Sequence, residues 1–163
     1  VFAVEPFDEM VKLIKNNINI NSLNNIEIFK GAISDKEGSE LIDFGIGIVT
    51  SSIVRNFSKN SKINVQTTTI DILTKKLNKV NFIKLDIEGA EFKALMGAKD
   101  TLKNHKPIIS IEVDPAYAEE NSFQKIDNFL KSFGYKPYIF DNTGNLVPIQ
   151  EVKHRYSNII FKI

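Results

Sequence analysis

Phe82-Ile83-Lys84-Leu85-Asp86-Ile87-Glu88-Gly89-Ala90-Glu91 is the stretch on which the fold turns. Residues 80–87 form a near-continuous apolar run, the pattern of a strand buried in a parallel sheet. From Gly89 the period changes. Ala90, Phe92, Leu95, Met96 and Leu102 fall at helical spacing, which predicts a helix over 89–102. A buried strand that turns at a glycine into a helix is the repeating unit of a parallel α/β sheet.

The same alternation continues outward. Residues 107–113 read as a second buried strand, 122–133 as a helix closed by Gly134, and 135–140 as a strand. Asp141-Asn142-Thr143-Gly144-Asn145 is a turn, and residues 157–163 form the last strand. That strand returns with no helix in the connection, so it is expected to run antiparallel to its neighbour. Upstream, residues 1–5 read as a strand closed by Glu5-Pro6, 8–18 as a helix and 26–33 as a strand. Residues 39–44 and 64–70 have strand character around a Gly/Ser/Asn-rich stretch, which predicts an antiparallel β insertion over about 39–70. Asp71 is placed to cap a short helix over 72–77. The expectation is a single α/β domain over 1–163. Its sheet is Rossmann-like, doubly wound and mostly parallel, with an antiparallel last strand and the β insertion.

Composition narrows the function. The 163 residues are 42% hydrophobic and 25% charged, with a formal net charge of +1. That balance supports a globular core and gives no reason to expect nucleic acid. With no cysteine in the chain, disulfides, thiolate metal sites and cysteine nucleophiles are excluded. No apolar run approaches the roughly 20 residues of a membrane helix, and residues 1–6 lack the features of a signal peptide. A cytoplasmic setting is the expectation.

Ligands of open parallel sheets bind outside the carboxyl ends of the strands. Acidic residues recur there: Glu5, Asp35, Asp86 with Glu88, and Glu112 with Asp114. Glu5 can accept both ribose hydroxyls of an adenosine cofactor, or it can be a solvated carboxylate near a helix N-terminus. Lys84 and Asp86 fall on one side of their strand. An ion pair in a buried strand is costly unless paired or useful, so Lys84 serves Asp86, satisfies a neighbouring carboxylate such as Glu112, or does both. Asp86, Glu88 and Glu112 would also make an oxygen cluster suited to Mg²⁺, but Lys84 works against it, and no metal is expected. Gly45-Ile46-Gly47 is not followed by a helical pattern and reads as a flexible loop rather than a phosphate loop. His105 stands before a strand entrance, His154 lies in the last connection, and neither has a metal-ligand partner at useful spacing.

Val4-Glu5-Pro6, Ala32-Ile33-Ser34-Asp35, Thr69-Ile70-Asp71, the run from Ile83 to Glu91, and Leu95-Met96-Gly97-Ala98 together resemble the FkbM family of S-adenosylmethionine-dependent methyltransferases. The resemblance covers almost the whole chain, and Lys84-x-Asp86-x-Glu88-Gly89-Ala90-Glu91 is its most specific part. It implies methyl transfer from S-adenosyl-L-methionine to a hydroxyl of a sugar, glycolipid or polyketide-type acceptor. It implies Glu5 on the ribose and Ala32 and Ile33 flanking the adenine. It further implies Asp86 near the methionine amino group and the acceptor, and Glu88 or Asp86 as the catalytic carboxylate. The family's first strand and glycine-rich loop have no counterpart, so the chain is expected to be N-terminally incomplete and to leave two strand edges open. Two other readings compete. One is another nucleotide-cofactor enzyme, such as an NAD-dependent oxidoreductase. The other is a non-catalytic or incomplete Rossmann-like domain.

Overall fold

The computed structural model describes residues 1–43, 62–87, 89–113, 123–149 and 157–163. The chain divides into two compact units, Val1–Thr68 and Thr69–Ile163.

The first unit opens with β1 (Phe2–Glu5), α1 (Asp8–Ile20) and β2 (Glu27–Lys30). β1 and β2 pair in parallel from Phe2↔Glu27 to Glu5↔Lys30, so Glu5 and Lys30 end side by side at the carboxyl edge. α1 begins just after Pro6, with Asp8 and Glu9 in its first turn, where the helix dipole favours acids. The segment 26–33, expected as one strand, is two. β2 stops at Lys30, and β3 (Ala32–Ile33) joins a different sheet. Gly31 is the hinge between them. A Cβ there would lie 2.4 Å from the Gln66 carbonyl oxygen and 2.5 Å from the Phe29 ring, so only glycine lets the chain pass. β4 (Gly38–Asp43) and β5 (Lys62–Thr68) pair antiparallel, in accord with a β insertion, while β3 pairs with β5 in parallel.

The second unit runs α2 (Ile70–Thr74), β6 (Phe82–Leu85), α3 (Glu91–Met96), α4 (Lys99–His105), β7 (Ile108–Val113), α5 (Phe123–Lys131), β8 (Lys136–Phe140), β9 (Leu146–Pro148) and β10 (Ser157–Lys162). Its sheet has the order β6-β7-β10-β8-β9. β6 and β7 are parallel, and the last strand, β10, is antiparallel to both β7 and β8. The core is built from Leu85, Ile109, Ile111, Val113, Ile159 and Phe161 on one sheet face, with the helix residues Ala94, Leu95, Leu102, Ile126 and Leu130. Phe82 and Ile108, paired in register on the other face, are 55% and 45% exposed.

Among the described residues the strands form three sheets, one parallel and two mixed, where a single, mostly parallel sheet was expected. Among the described residues, three strand pairings are parallel (β1–β2, β3–β5, β6–β7) and four are antiparallel (β4–β5, β7–β10, β8–β10, β8–β9). The strand–helix alternation correctly set the direction of the crossover pairs. The added antiparallel pairs come from the hairpin strands β4 and β9 and from the helix-free return of β10. Within the described residues, β1 pairs only with β2, and β6 only with β7.

A second correction concerns the helix expected over 89–102. It is broken into α3 and α4 at Gly97-Ala98. The Gly97 carbonyl accepts the Asp71 N–H at 2.9 Å. The Asp71 carboxylate accepts the N–H of Asp100 at 3.1 Å, the N–H of Thr101 at 2.8 Å and the Thr101 hydroxyl at 2.7 Å. Asp71 therefore caps α4 rather than its own helix, and Thr69 caps α2 by accepting the Ile72 N–H at 3.1 Å. Among the described residues no helix is long and apolar enough to cross a membrane.

Candidate functional site

At the end of β1 the chain turns through Pro6 into α1, which half-buries Glu5. Its Oε1 accepts the Phe7 N–H at 2.9 Å, and its Oε2 has no protein partner among the described residues. Burial pushes the carboxyl above its ordinary value, and the Phe7 hydrogen bond offsets part of that rise. The Gly31 N–H donates to the Glu5 carbonyl at 3.1 Å, which ties the hinge before Ala32 to the strand end bearing the acid. Ala32 and Ile33 are half-buried and held in register against Thr67 and Thr68. Ser34, buried behind them, donates its hydroxyl proton to Glu40 Oε1 at 2.6 Å. Glu5, Ala32 and Ile33 thus share the first unit. An open cavity of about 530 Å³ lies at the same end of β1 and β2, between Pro6, Phe7, Lys30, Gly31, Val65 and Gln66. The three residues singled out from sequence flank its walls in the chain but do not line it.

Asp86 stands in the second unit, one residue past the end of β6. Lys84 Nζ lies 2.6 Å from Asp86 Oδ2. Glu112 also hydrogen-bonds Asp86, as expected from the β6–β7 register, whose last pair is Leu85↔Ile111. Glu112 and Lys84 hold the Asp86 carboxyl below its ordinary value, more than desolvation raises it. Lys84 is thus paired with Asp86. Glu88 lies outside the described residues, as do Gly45-Ile46-Gly47, Asp114 and His154. His105 ends α4, where its carbonyl accepts Lys79 Nζ at 2.7 Å. Among the described residues no three metal-ligating side chains gather.

The turn between β6 and α3 contains a residue that sequence reasoning left without a role. Glu91 is 1% exposed. Its carboxylate accepts the N–H of Ile87 at 3.1 Å and the N–H of Gly89 at 3.1 Å. Gly89 has φ +101°, a backbone region that side chains disfavour. The sequence carried two signals for Glu91: its place in the first helical turn, which a solvated acid would occupy equally well, and its position closing the Lys84–Glu91 motif, which assigned it no role of its own.

The model of the family described as Methyltransferase FkbM domain matches residues 1–137. A solved structure of a methyltransferase FkbM from Methylobacillus flagellatus KT is similar over 100% of this chain, with a TM-score of 0.65 and 18% sequence identity. At that identity the likeness is one of fold. The chain spans 36% of that protein's length. No curated protein matches the chain.

Proposed function

The chain belongs to the FkbM methyltransferase family, and from that premise we propose that it binds S-adenosyl-L-methionine and serves O-methylation of a hydroxyl on a sugar, glycolipid or polyketide-type acceptor. The observation that carries the reading is the state of Glu5. One carboxylate oxygen is fixed by the Phe7 N–H, and the other has no protein partner among the described residues. A carboxylate held this way at a strand end can accept a ribose hydroxyl without first breaking a bond of its own. Ala32 and Ile33 flank the adenine in this reading, and their pairing with β5 keeps that backbone fixed. The residues fit a nucleoside of this kind. The doubly wound arrangement of the family is the finer fold reading that goes with it.

When bound, S-adenosylmethionine supplies a methyl group already activated by a sulfonium, so the hard chemistry belongs to the cofactor. The protein's task is alignment of the acceptor hydroxyl with the methyl carbon, which can be worth about 7–11 kcal/mol in favourable cases. Asp86, kept anionic by Lys84 and Glu112, is a weak proton acceptor. Its part is that of a fixed negative charge, which holds the methionine amino group and orients the acceptor. Glu88, beside it in sequence, is the member of the pair left to take the hydroxyl proton. General-base assistance of that kind typically adds roughly a hundred- to ten-thousandfold.

Calorimetric titration with S-adenosylhomocysteine and with NAD tests the reading. S-adenosylhomocysteine should bind, Glu5→Ala should weaken it, and Asp86→Ala should mainly lower turnover. Tight binding of NAD with none of S-adenosylhomocysteine would place the protein among the oxidoreductases instead.

A further inference from the structure

The turn from β6 into α3 has to do two things that oppose each other. It must expose Asp86 at the sheet edge, and it must satisfy the backbone N–H groups freed where the strand ends and the helix has not begun. Ile87 and Gly89 carry two of those groups, and both donate to one side chain, Glu91. The Gly89 N–H reaches both oxygens, at 3.1 Å to Oε2 and 3.4 Å to Oε1, while Ile87 reaches Oε1 at 3.1 Å. The acid is buried to 1% exposure, although it opens a helix whose N-terminal end would ordinarily keep a carboxylate in water. A buried carboxylate is expensive unless its lone pairs are occupied, and here backbone donors occupy them.

The consequence is mechanical. Asp86 precedes the first clamped amide, and Glu88 lies between the two. Fixing Ile87 and Gly89 to one rigid group therefore sets the path of the chain as it leaves Asp86. Lys84 and Glu112 hold the Asp86 side chain, whereas Glu91 holds the backbone that carries it. We infer that Glu91 is a positioning residue for the methyl-transfer site: its buried carboxylate clamps the Ile87 and Gly89 amides and thereby fixes the approach of Asp86 to its ligand. This rests on the proposed role of Asp86. It differs from that role in that Glu91 faces the protein interior and touches no ligand.

Glu91→Gln is the discriminating variant. It keeps the shape and one acceptor oxygen, but it puts an NH₂ donor against an amide that needs an acceptor. Glu91→Ala, which leaves both amides without a partner, is the more disruptive companion. The first measurement needs no ligand. In the full chain, the Ile87 and Gly89 amide proton resonances should be displaced downfield and protected from exchange. Glu91→Gln should abolish both features at one of the two amides and move the Asp86 carboxyl resonance, while the rest of the spectrum stays folded. The second measurement compares adenosine with S-adenosylhomocysteine. Adenosine affinity, which depends on Glu5, should stay within about twofold, and S-adenosylhomocysteine affinity and turnover should fall about ten- to a hundredfold, the scale expected of a displaced site.

The inference is overturned if Glu91→Gln loses the amide signatures yet leaves the Asp86 resonance in place, because Glu91 would then be structural only. It is equally overturned if the variant binds S-adenosylhomocysteine and turns over as the parent does. Should the parent protein bind neither nucleoside, the methyltransferase reading fails. The amide and carboxyl resonances would then still decide whether Glu91 positions Asp86.

Discussion

Glu5 is a carboxylate that the fold half-buries and does not fully satisfy, so its proposed function and its contribution to stability pull in opposite directions. Its folded pKa is raised above the ordinary 4.5 by desolvation. A raised folded value stabilises the protein below the unfolded pKa, and that contribution is lost as the pH rises through the folded value. Glu5→Gln keeps an acceptor for the Phe7 N–H and removes the titration. Thermal melts from pH 4 to pH 7 should show the variant level with the parent at the acid end and more stable at the neutral end, while its affinity for S-adenosylhomocysteine falls. Parallel melting curves would contradict the burial argument. Tyr135 makes the complementary case. It is 1% exposed, its hydroxyl has no partner among the described residues, and burial pushes its pKa up to about 12. An unpaired buried hydroxyl costs roughly 1–3 kcal/mol, so Tyr135→Phe should leave stability unchanged or raise it by about 1 kcal/mol in urea denaturation. At this scale the strand-end positions of Glu5 and Asp86 were legible, because acids there stand out against apolar runs. The burial of Glu91 was not, since the motif that contains it does not distinguish an acid that folds inward over its own turn from one in water.

Among the elements, two breaks decide the geometry, and each depends on a contact distant in sequence. Gly31 separates β2 from β3 because the Gln66 carbonyl lies where a side chain would be. Gly97 separates α3 from α4, and Asp71 spans the gap. Periodicity found the strands and helices on either side but not the breaks. The apolar spacing of 89–102 continues through Gly97, and the residue that caps the second half belongs to another helix. Loss of a side-chain cap costs about 0.5–2 kcal/mol. Asp71 makes three such bonds, so Asp71→Ala should cost close to 2 kcal/mol by chemical denaturation, with the amide of Thr101 losing exchange protection first. A cost below about 0.3 kcal/mol would show that α4 is capped by other means.

On the scale of the whole molecule, the alternation of strand and helix patterns correctly indicated an α/β chain. The antiparallel last strand was also legible, because its connection lacks a helix. The partition of strands into three sheets was not, since pairing partners are long-range choices that alternation leaves open. The five-stranded sheet of the second unit keeps an apolar pair, Phe82 and Ile108, on its exposed face. The double variant Phe82→Thr with Ile108→Thr should reduce binding of an apolar fluorescent dye, and its stability should stay within about 0.5 kcal/mol per site. Unchanged dye binding would mean that these two side chains are not the apolar surface the protein presents.

The central claim is that the acidic strand ends of this chain receive an S-adenosyl nucleoside. A crystal structure of the full chain with S-adenosylhomocysteine tests it most directly. The expected result is a nucleoside with its ribose hydroxyls on the Glu5 carboxylate and its adenine against Ala32 and Ile33. A nucleoside bound away from Glu5, or no bound nucleoside at saturating concentration, would contradict it.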